Sequence, residues 1–165
     1  MKKSLFVLAI AAIMVCFNAC VPQEKTLTDY LTAPKKGWVL EAATSTPGYV
    51  MEDGSIIDNL MEGYLYDYEK DDVIAFDAEG NQTINPGDNI PEEGDYRETV
   101  TCKYTIDEVN NILNCQIPFF YDEVPEICQI ITLDENTMKL RCTINDDENP
   151  AKGTYSFTLT YVPVK

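Results

Sequence analysis

Four segments of this chain alternate strictly between apolar and polar residues, and this alternation restricts the fold more than any other feature. In "RETVTCKYT", Val100, Cys102 and Tyr104 share one parity, while Thr99, Thr101 and Lys103 share the other. In "ILNCQI", Leu113, Cys115 and Ile117 oppose Ile112, Asn114 and Gln116. "MKLRCTI" sets Met138, Leu140, Cys142 and Ile144 against Lys139, Arg141 and Thr143. "TYSFTLTY" sets Tyr155, Phe157, Leu159 and Tyr161 against Thr154, Ser156, Thr158 and Thr160. A period of two gives each strand one dry and one wet face. Such strands pair antiparallel, because parallel strands are usually apolar on both faces. "GWVLEAAT", "DDVIAFD", "NQTINP" and "EICQIITL" read as four more strands. The connections "AEGN", "DEVN" and "DENT" are short and rich in turn residues, and "NDDENPAKG" precedes the last strand. The expected fold class is all-β: an antiparallel eight-stranded meander that removes its open edges by closing into a barrel.

One stretch departs from period two. In "GSIIDNLMEGYLYDYEKDD", Ile56, Ile57, Leu60, Met61 and Tyr64 recur at helical spacing. Ser55 can cap the first turn, with Asp58 three residues on. A short helix over about 56–67, lying against the barrel, is expected.

The amino terminus carries an address. Lys2 and Lys3 precede an apolar run over 5–17. That run has the length of a helical signal segment and falls short of the roughly 20 residues that span a bilayer. Phe17, Asn18, Ala19 and Cys20 resemble a bacterial lipobox, where a small residue precedes the lipidated cysteine. The resemblance implies cleavage before Cys20 and lipidation of its sulfur; ordinary secretion is the alternative. The organisation expected is a signal peptide over 1–19, a flexible tether over 20–34 with no periodic apolar face, and a barrel domain over 35–165.

Charge narrows the partners. The formal net charge is −16, with 12 basic and 28 acidic residues and no histidine. Such a surface repels phosphate backbones, so no nucleic-acid partner is expected. Without histidine, Ser-His and Cys-His catalysis are excluded and the commonest zinc ligand is missing. Asn145, Asp146, Asp147, Glu148 and Asn149 offer oxygens, but not the glycine that a calcium loop places among them. Nothing singles out a catalytic pair of carboxylates. The chain is read as a non-enzyme without metal or cofactor.

A family resemblance rests on particular residues. Gly37, Trp38, Val39 and Leu40 open the first strand, and "YEKDDVIAFDAEGNQTINPG" fills 68–87. Together they resemble the lipocalin-like domain of Bacteroidetes lipoproteins, through Asp71, Asp72, Ile74, Phe76, Gly80 and Gly87. "ICQIITLDENTMKLRCTI" resembles the late hairpin of that domain. The likeness covers most of 37–163. It implies a small antiparallel barrel, exported and lipid-anchored in the outer membrane, facing the periplasm or the cell surface.

Besides Cys16 and Cys20 there are four cysteines, which allow three pairings. A four-residue loop over 107–110 would set Cys102 directly across from Cys115. The loop "DENT" leaves Cys128 and Cys142 one register apart unless a bulge intervenes. Cys102–Cys115 is therefore ranked above Cys128–Cys142, with unpaired buried thiols as the alternative.

The aromatic residues suggest a site. Tyr64, Tyr66 and Tyr68 occupy alternate positions, and Phe119, Phe120 and Tyr121 follow Pro118. Tyr64, Tyr66, Phe119, Phe120 and Tyr121 are the candidate ligand-binding residues at the barrel mouth; the alternative is that aromatics plug the barrel. Trp38 is expected to plug the closed end. Two functions stand side by side. One is binding of a small hydrophobic or glycan-like ligand. The other is a filled barrel that contacts an envelope protein partner.

Overall fold

All eight expected strands form, and they close on each other through one bent strand. In a computed structural model, residues 24–89, 97–118, 126–145 and 154–165 are described. The strands are β1 Trp38–Val50, β2 Ile56–Asn59, β3 Val73–Phe76, β4 Asn81–Asn85, β5 Val100–Lys103, β6 Thr105–Asp107, β7 Ile112–Cys115, β8 Glu126–Leu133, β9 Met138–Asn145 and β10 Thr154–Pro163. They form one antiparallel sheet in the order β5-β4-β3-β1-β10-β9-β8-β7-β6, with β2 paired to β1 off that path. Its two ends, β5 and β6, are separated only by Tyr104. The first half of this strand bonds to β4 and the second half to β7. Counted as one strand, 100–107 supplies both edges, and the result is an eight-stranded up-and-down barrel. The barrel is nearly closed: each half of this strand keeps one paired neighbour, β5 with β4 and β6 with β7.

Two residues hold the seam. The Tyr104 N–H donates to the Gly80 carbonyl at 3.1 Å, and its hydroxyl to the Asp77 carbonyl at 2.7 Å. Its ring meets Phe76 edge-on, with centroids 5.0 Å apart. Inside, Gln82 is fully buried. Its Nε2 donates to the Gln116 carbonyl at 2.6 Å, and its Oε1 accepts the Gln116 N–H at 2.8 Å. One side-chain amide thus satisfies a backbone donor and acceptor just beyond β7, where the ladder has run out.

Among the described residues the predicted dry parity faces the interior except at the start of the first segment, where Val100 is 45% exposed and Cys102 half-buried. Leu113, Cys115, Ile117, Met138, Leu140, Cys142, Tyr155, Phe157, Leu159 and Tyr161 are all buried. One end is sealed. The helix α1 (Leu27–Leu31) starts with a Thr26–Asp29 capping box, and its carboxyl end accepts the Trp38 Nε1–H at the Leu31 carbonyl, 2.9 Å away. Leu31 and Trp38 are both buried. Gly37 permits the approach. It has φ +95°, and a Cβ there would lie 2.7 Å from the Ile74 carbonyl oxygen.

Three expectations are corrected. The tether does not extend to residue 34, because α1 is docked in the core. Thr26 supplies the cap, and Leu27 and Leu31 supply an apolar side too short to register as periodic. The helix expected over 56–67 is shorter and broken. Ile56 and Ile57 belong to β2, pairing with Val50 and Tyr49. Only α2 (Leu60–Gly63) and α3 (Asp67–Lys70) are helical. β-branched residues favour the strand, and Gly63 ends the first helix. The ranking of disulfides also reverses. Cys128 is bonded to Cys142, while Cys102 and Cys115 are free thiols. A bulge between Ile130 and Thr132 absorbs the one-residue offset and sets Cys128 opposite Cys142. In the other hairpin Ile106 faces Leu113, so the loop is not the four residues 107–110, and Cys102 pairs across from Gln82 instead.

Candidate functional site at the barrel mouth

The alternating direction of the strands puts the 77–80, 108–111 and 134–137 turns at the sealed end with α1. The β1–β2 hairpin, α2 and α3 lie at the opposite end, the mouth. There the tight hairpin over 51–55 brings Met51 near the helical turns, and the Asn59 side chain caps α2 by accepting the Met61 N–H at 3.1 Å.

A cleft of about 220 Å³ opens at this end, lined by Met51, Tyr64, Tyr66 and Glu69. Two of the five sequence-predicted ligand residues, Tyr64 and Tyr66, therefore share one cavity. Phe119, Phe120 and Tyr121 lie outside the described residues, as does Cys20. Behind Tyr64, aromatic rings continue inward. Tyr49 lies 5.1 Å from Tyr64 edge-on and 5.0 Å from Tyr155, and Phe157 lies 5.8 Å from Tyr49. Burial, with Tyr49 and Glu69 beside it, holds the Tyr64 phenol above its usual range, so it stays a neutral donor.

Glu69 is only 5% exposed although it is a carboxylate. Its Oε2 accepts the Tyr66 N–H at 2.9 Å, which fixes the first turn of α3. Tyr66 is the exposed wall of the cleft, and its ring stacks on Tyr68 at 5.2 Å with the planes 5° apart. The Arg97 guanidinium lies over the other ring of that pair, 5.4 Å from the Tyr68 centroid. It also grips the buried Asp72 with two bonds of 2.7 and 2.5 Å, and donates to the Tyr68 carbonyl. Burial raises Asp72 above the ordinary carboxylate range; Arg97 and the Gly87 N–H pull it back without cancelling the rise. The neighbouring Asp71 leaves no room for a side chain at Gly87, whose Cβ would sit 2.0 Å from the carboxyl carbon. Asp71, Asp72 and Gly87 are thus the brace behind the aromatic wall, not a site of chemistry.

Two buried hydroxyls have no partner. Tyr155 and Tyr161 are each 1% exposed, and their Oη atoms make no hydrogen bond. They lie at opposite ends of β10 on its inward face. Burial pushes the Tyr161 phenol well up, with Cys115 and Asp72 adding to the rise. A second, open groove of about 620 Å³ runs along the outside between β1 and β2, past Thr44, Thr46, Gly48, Asp58 and Asn59. It offers no aromatic ring. Among the described residues, no three of Cys, Asp and Glu gather as a metal set, and no helix is long and apolar enough to cross a membrane.

Sequence reasoning missed Tyr49, Met51 and Glu69. Tyr49 follows Pro47 and Gly48, which look like a strand end. The only signal for Glu69 is its place three residues after Tyr66, the spacing of a cap.

The chain matches no protein-family profile and no curated protein. Among solved structures it is similar to bovine odorant-binding protein. The complex of that protein with a selenium-containing odorant aligns at 16% identity and TM-score 0.44, covering 88% of this chain and 76% of the other. The complex with its natural ligand aligns at 17% identity and TM-score 0.45, covering 88% and 77%. The complex with undecanal aligns at 15% and 0.43, again covering 88% and 77%. The ligands named there belong to those proteins.

Proposed function

We propose that this chain is an exported, lipid-anchored envelope lipoprotein, of the lipocalin-like kind its sequence resembles, whose barrel holds a small apolar or sugar-like molecule at the mouth. The observation that carries the reading is the cleft at Tyr64 and Tyr66, continued inward by Tyr49, Phe157 and Tyr155. Aromatic rings beside a few placed polar groups are a common make-up of small-molecule sites, and here Glu69 and the tyrosines give the lining a large polar share. The Tyr155 hydroxyl, buried without a partner, adds a polar group beside the same cluster. The lower barrel is occupied by Trp38, Leu140, Leu159 and their neighbours, which supports a ligand seated at the mouth. The Cys20 anchor is supported by the lipobox-like sequence. Cys20→Ser should move the protein from the membrane fraction to the soluble one. For the ligand, titration with the apolar fluorophore 1-aminoanthracene should saturate at one site and weaken at least fivefold in Tyr64→Ala. Equal binding by the variant would move the ligand away from the mouth. Retention of Cys20→Ser in the membrane fraction would remove the anchor.

A further inference from the structure

Tyr155 carries a hydroxyl that the folded chain does not use. The residue is 1% exposed, and its Oη makes no hydrogen bond. Buried polar atoms are nearly always paired, and one left over costs stability until a partner reaches it. We infer that this hydroxyl is the polar anchor of the bound molecule: it donates to a neutral carbonyl oxygen, so the ligand is an apolar ketone or ester, and the Tyr49 ring swings aside to admit it. The inference rests on the ligand-binding reading above and narrows it.

Three observations support it. The first is position. Tyr155 is the second residue of β10, at the mouth, on the inward face. Side chains stand roughly perpendicular to their sheet, which carries the Oη toward the barrel interior. The second is the route. The Tyr49 ring is 5.1 Å from Tyr64, which lines the cleft, and 5.0 Å from Tyr155. Tyr49 thus stands between the cleft and the hydroxyl. It is only half-buried, on a hairpin arm whose pairing with β2 is irregular between Thr44 and Tyr49. A ring on such an arm can change rotamer while β8, β9 and β10 stay paired. The third is chemistry. Tyr49 and Phe157 present carbon faces 5.0 and 6.4 Å from the Tyr155 ring, which suit the carbon part of a ligand. A carbonyl oxygen takes the one available O–H and brings no hydrogen that would need an acceptor of its own. An anionic oxygen would meet the field of a chain with net charge −16. Tyr161 also has an unpaired hydroxyl, but it lies toward the sealed end, away from the cleft.

The test uses two molecules of one shape. 2-Octanone and 2-methyl-1-octene differ by a carbonyl oxygen in place of a methylene group. Each is titrated against 1-aminoanthracene bound to the full chain in non-ionic detergent; partition into detergent cancels when variant and parent are compared. Tyr155→Phe keeps the ring and removes only the hydroxyl. It should weaken 2-octanone about fivefold, within the worth of one neutral hydrogen bond, and leave 2-methyl-1-octene unchanged. The same variant without ligand should unfold in urea at the same or a higher midpoint, because no bond is lost. Tyr161→Phe should leave both molecules unchanged. Tyr49→Ala removes the ring that must move and should tighten 2-octanone at least threefold. Equal effects of Tyr155→Phe on the two molecules, a lower urea midpoint for the free variant, or a loss of 2-octanone binding confined to Tyr161→Phe overturns the inference. Absence of tightening in Tyr49→Ala overturns the route past that ring. Saturable 1-aminoanthracene binding, displaced by both molecules with Tyr155→Phe indifferent, would overturn the carbonyl anchor alone and leave the mouth site standing. If 1-aminoanthracene does not bind, both readings fall.

Discussion

Gln82 and Arg97 carry more of the architecture than their composition suggests. Gln82→Leu would keep the volume but leave the Gln116 N–H and carbonyl unpaired in the interior. An unsatisfied buried backbone group costs about 1–3 kcal/mol, so the variant should lose roughly 3 kcal/mol in urea unfolding. Cys102→Ser, which touches the same amide only through a 3.4 Å thiol contact, should cost less than 1 kcal/mol by the usual range for a weak polar contact, about 0.5. Arg97→Met leaves Asp72 buried and unpaired, a change worth about 3 kcal/mol near neutral pH. The sign with pH is defined. The folded Asp72 already binds its proton more tightly than the unfolded chain does, and the variant strengthens that bias. Its stability contribution is therefore present below the unfolded carboxylate value of about 3.9 and is lost as pH rises through the raised folded value. The gap between variant and parent should narrow as pH falls toward 4 and widen toward 7. A gap that is the same at both would separate Asp72 from the effect.

Strands and hairpins were legible because burial imposes a parity, and side chains report parity directly. Tyr155, Phe157, Leu159 and Tyr161 face inward as the alternation of "TYSFTLTY" requires. Helices were read less well, since Ile56 and Ile57 fit helical spacing while their branched side chains suit an edge strand. Register was the weakest link. A single bulged residue near Ile131 decides whether Cys128 meets Cys142, and period two continues undisturbed on either side of it. The bonded pair gives a direct prediction. Alkylation in denaturant without reductant should tag Cys102 and Cys115 and spare Cys128 and Cys142. Tags on Cys128 and Cys142 with Cys102 and Cys115 spared would restore the other pairing. At the sealed end, Trp38→Phe removes the indole N–H that the Leu31 carbonyl accepts and should speed amide exchange across 27–31 while leaving β8 and β9 protected. Unchanged exchange in α1 would mean that the packing of Leu31 suffices to hold the helix.

The barrel has two unlike ends, and the anchor would join at one of them. Six residues separate Cys20 from Leu27, where α1 begins at the sealed end. Such a stretch reaches about 20 Å when extended, whereas a ten-residue strand like β10 is roughly 33 Å long. A lipid on Cys20 would therefore hold the sealed end toward the bilayer and turn the mouth to the aqueous side. A fluorophore at Asp53→Cys in vesicles should escape quenching by spin-labelled headgroups, while one at Lys36→Cys should be quenched; the reverse order would invert the molecule. The ligand would then arrive from water or from another protein and not from the anchoring leaflet. Whether the mouth holds a molecule at all decides between a binding barrel and a filled one. The most direct measurement is a native mass spectrum of the chain taken from its own host. An added small mass that leaves on denaturation, and that is missing from Tyr64→Ala, is the predicted result. A spectrum showing only polypeptide and anchor would contradict it and make the barrel a filled body acting through its surface.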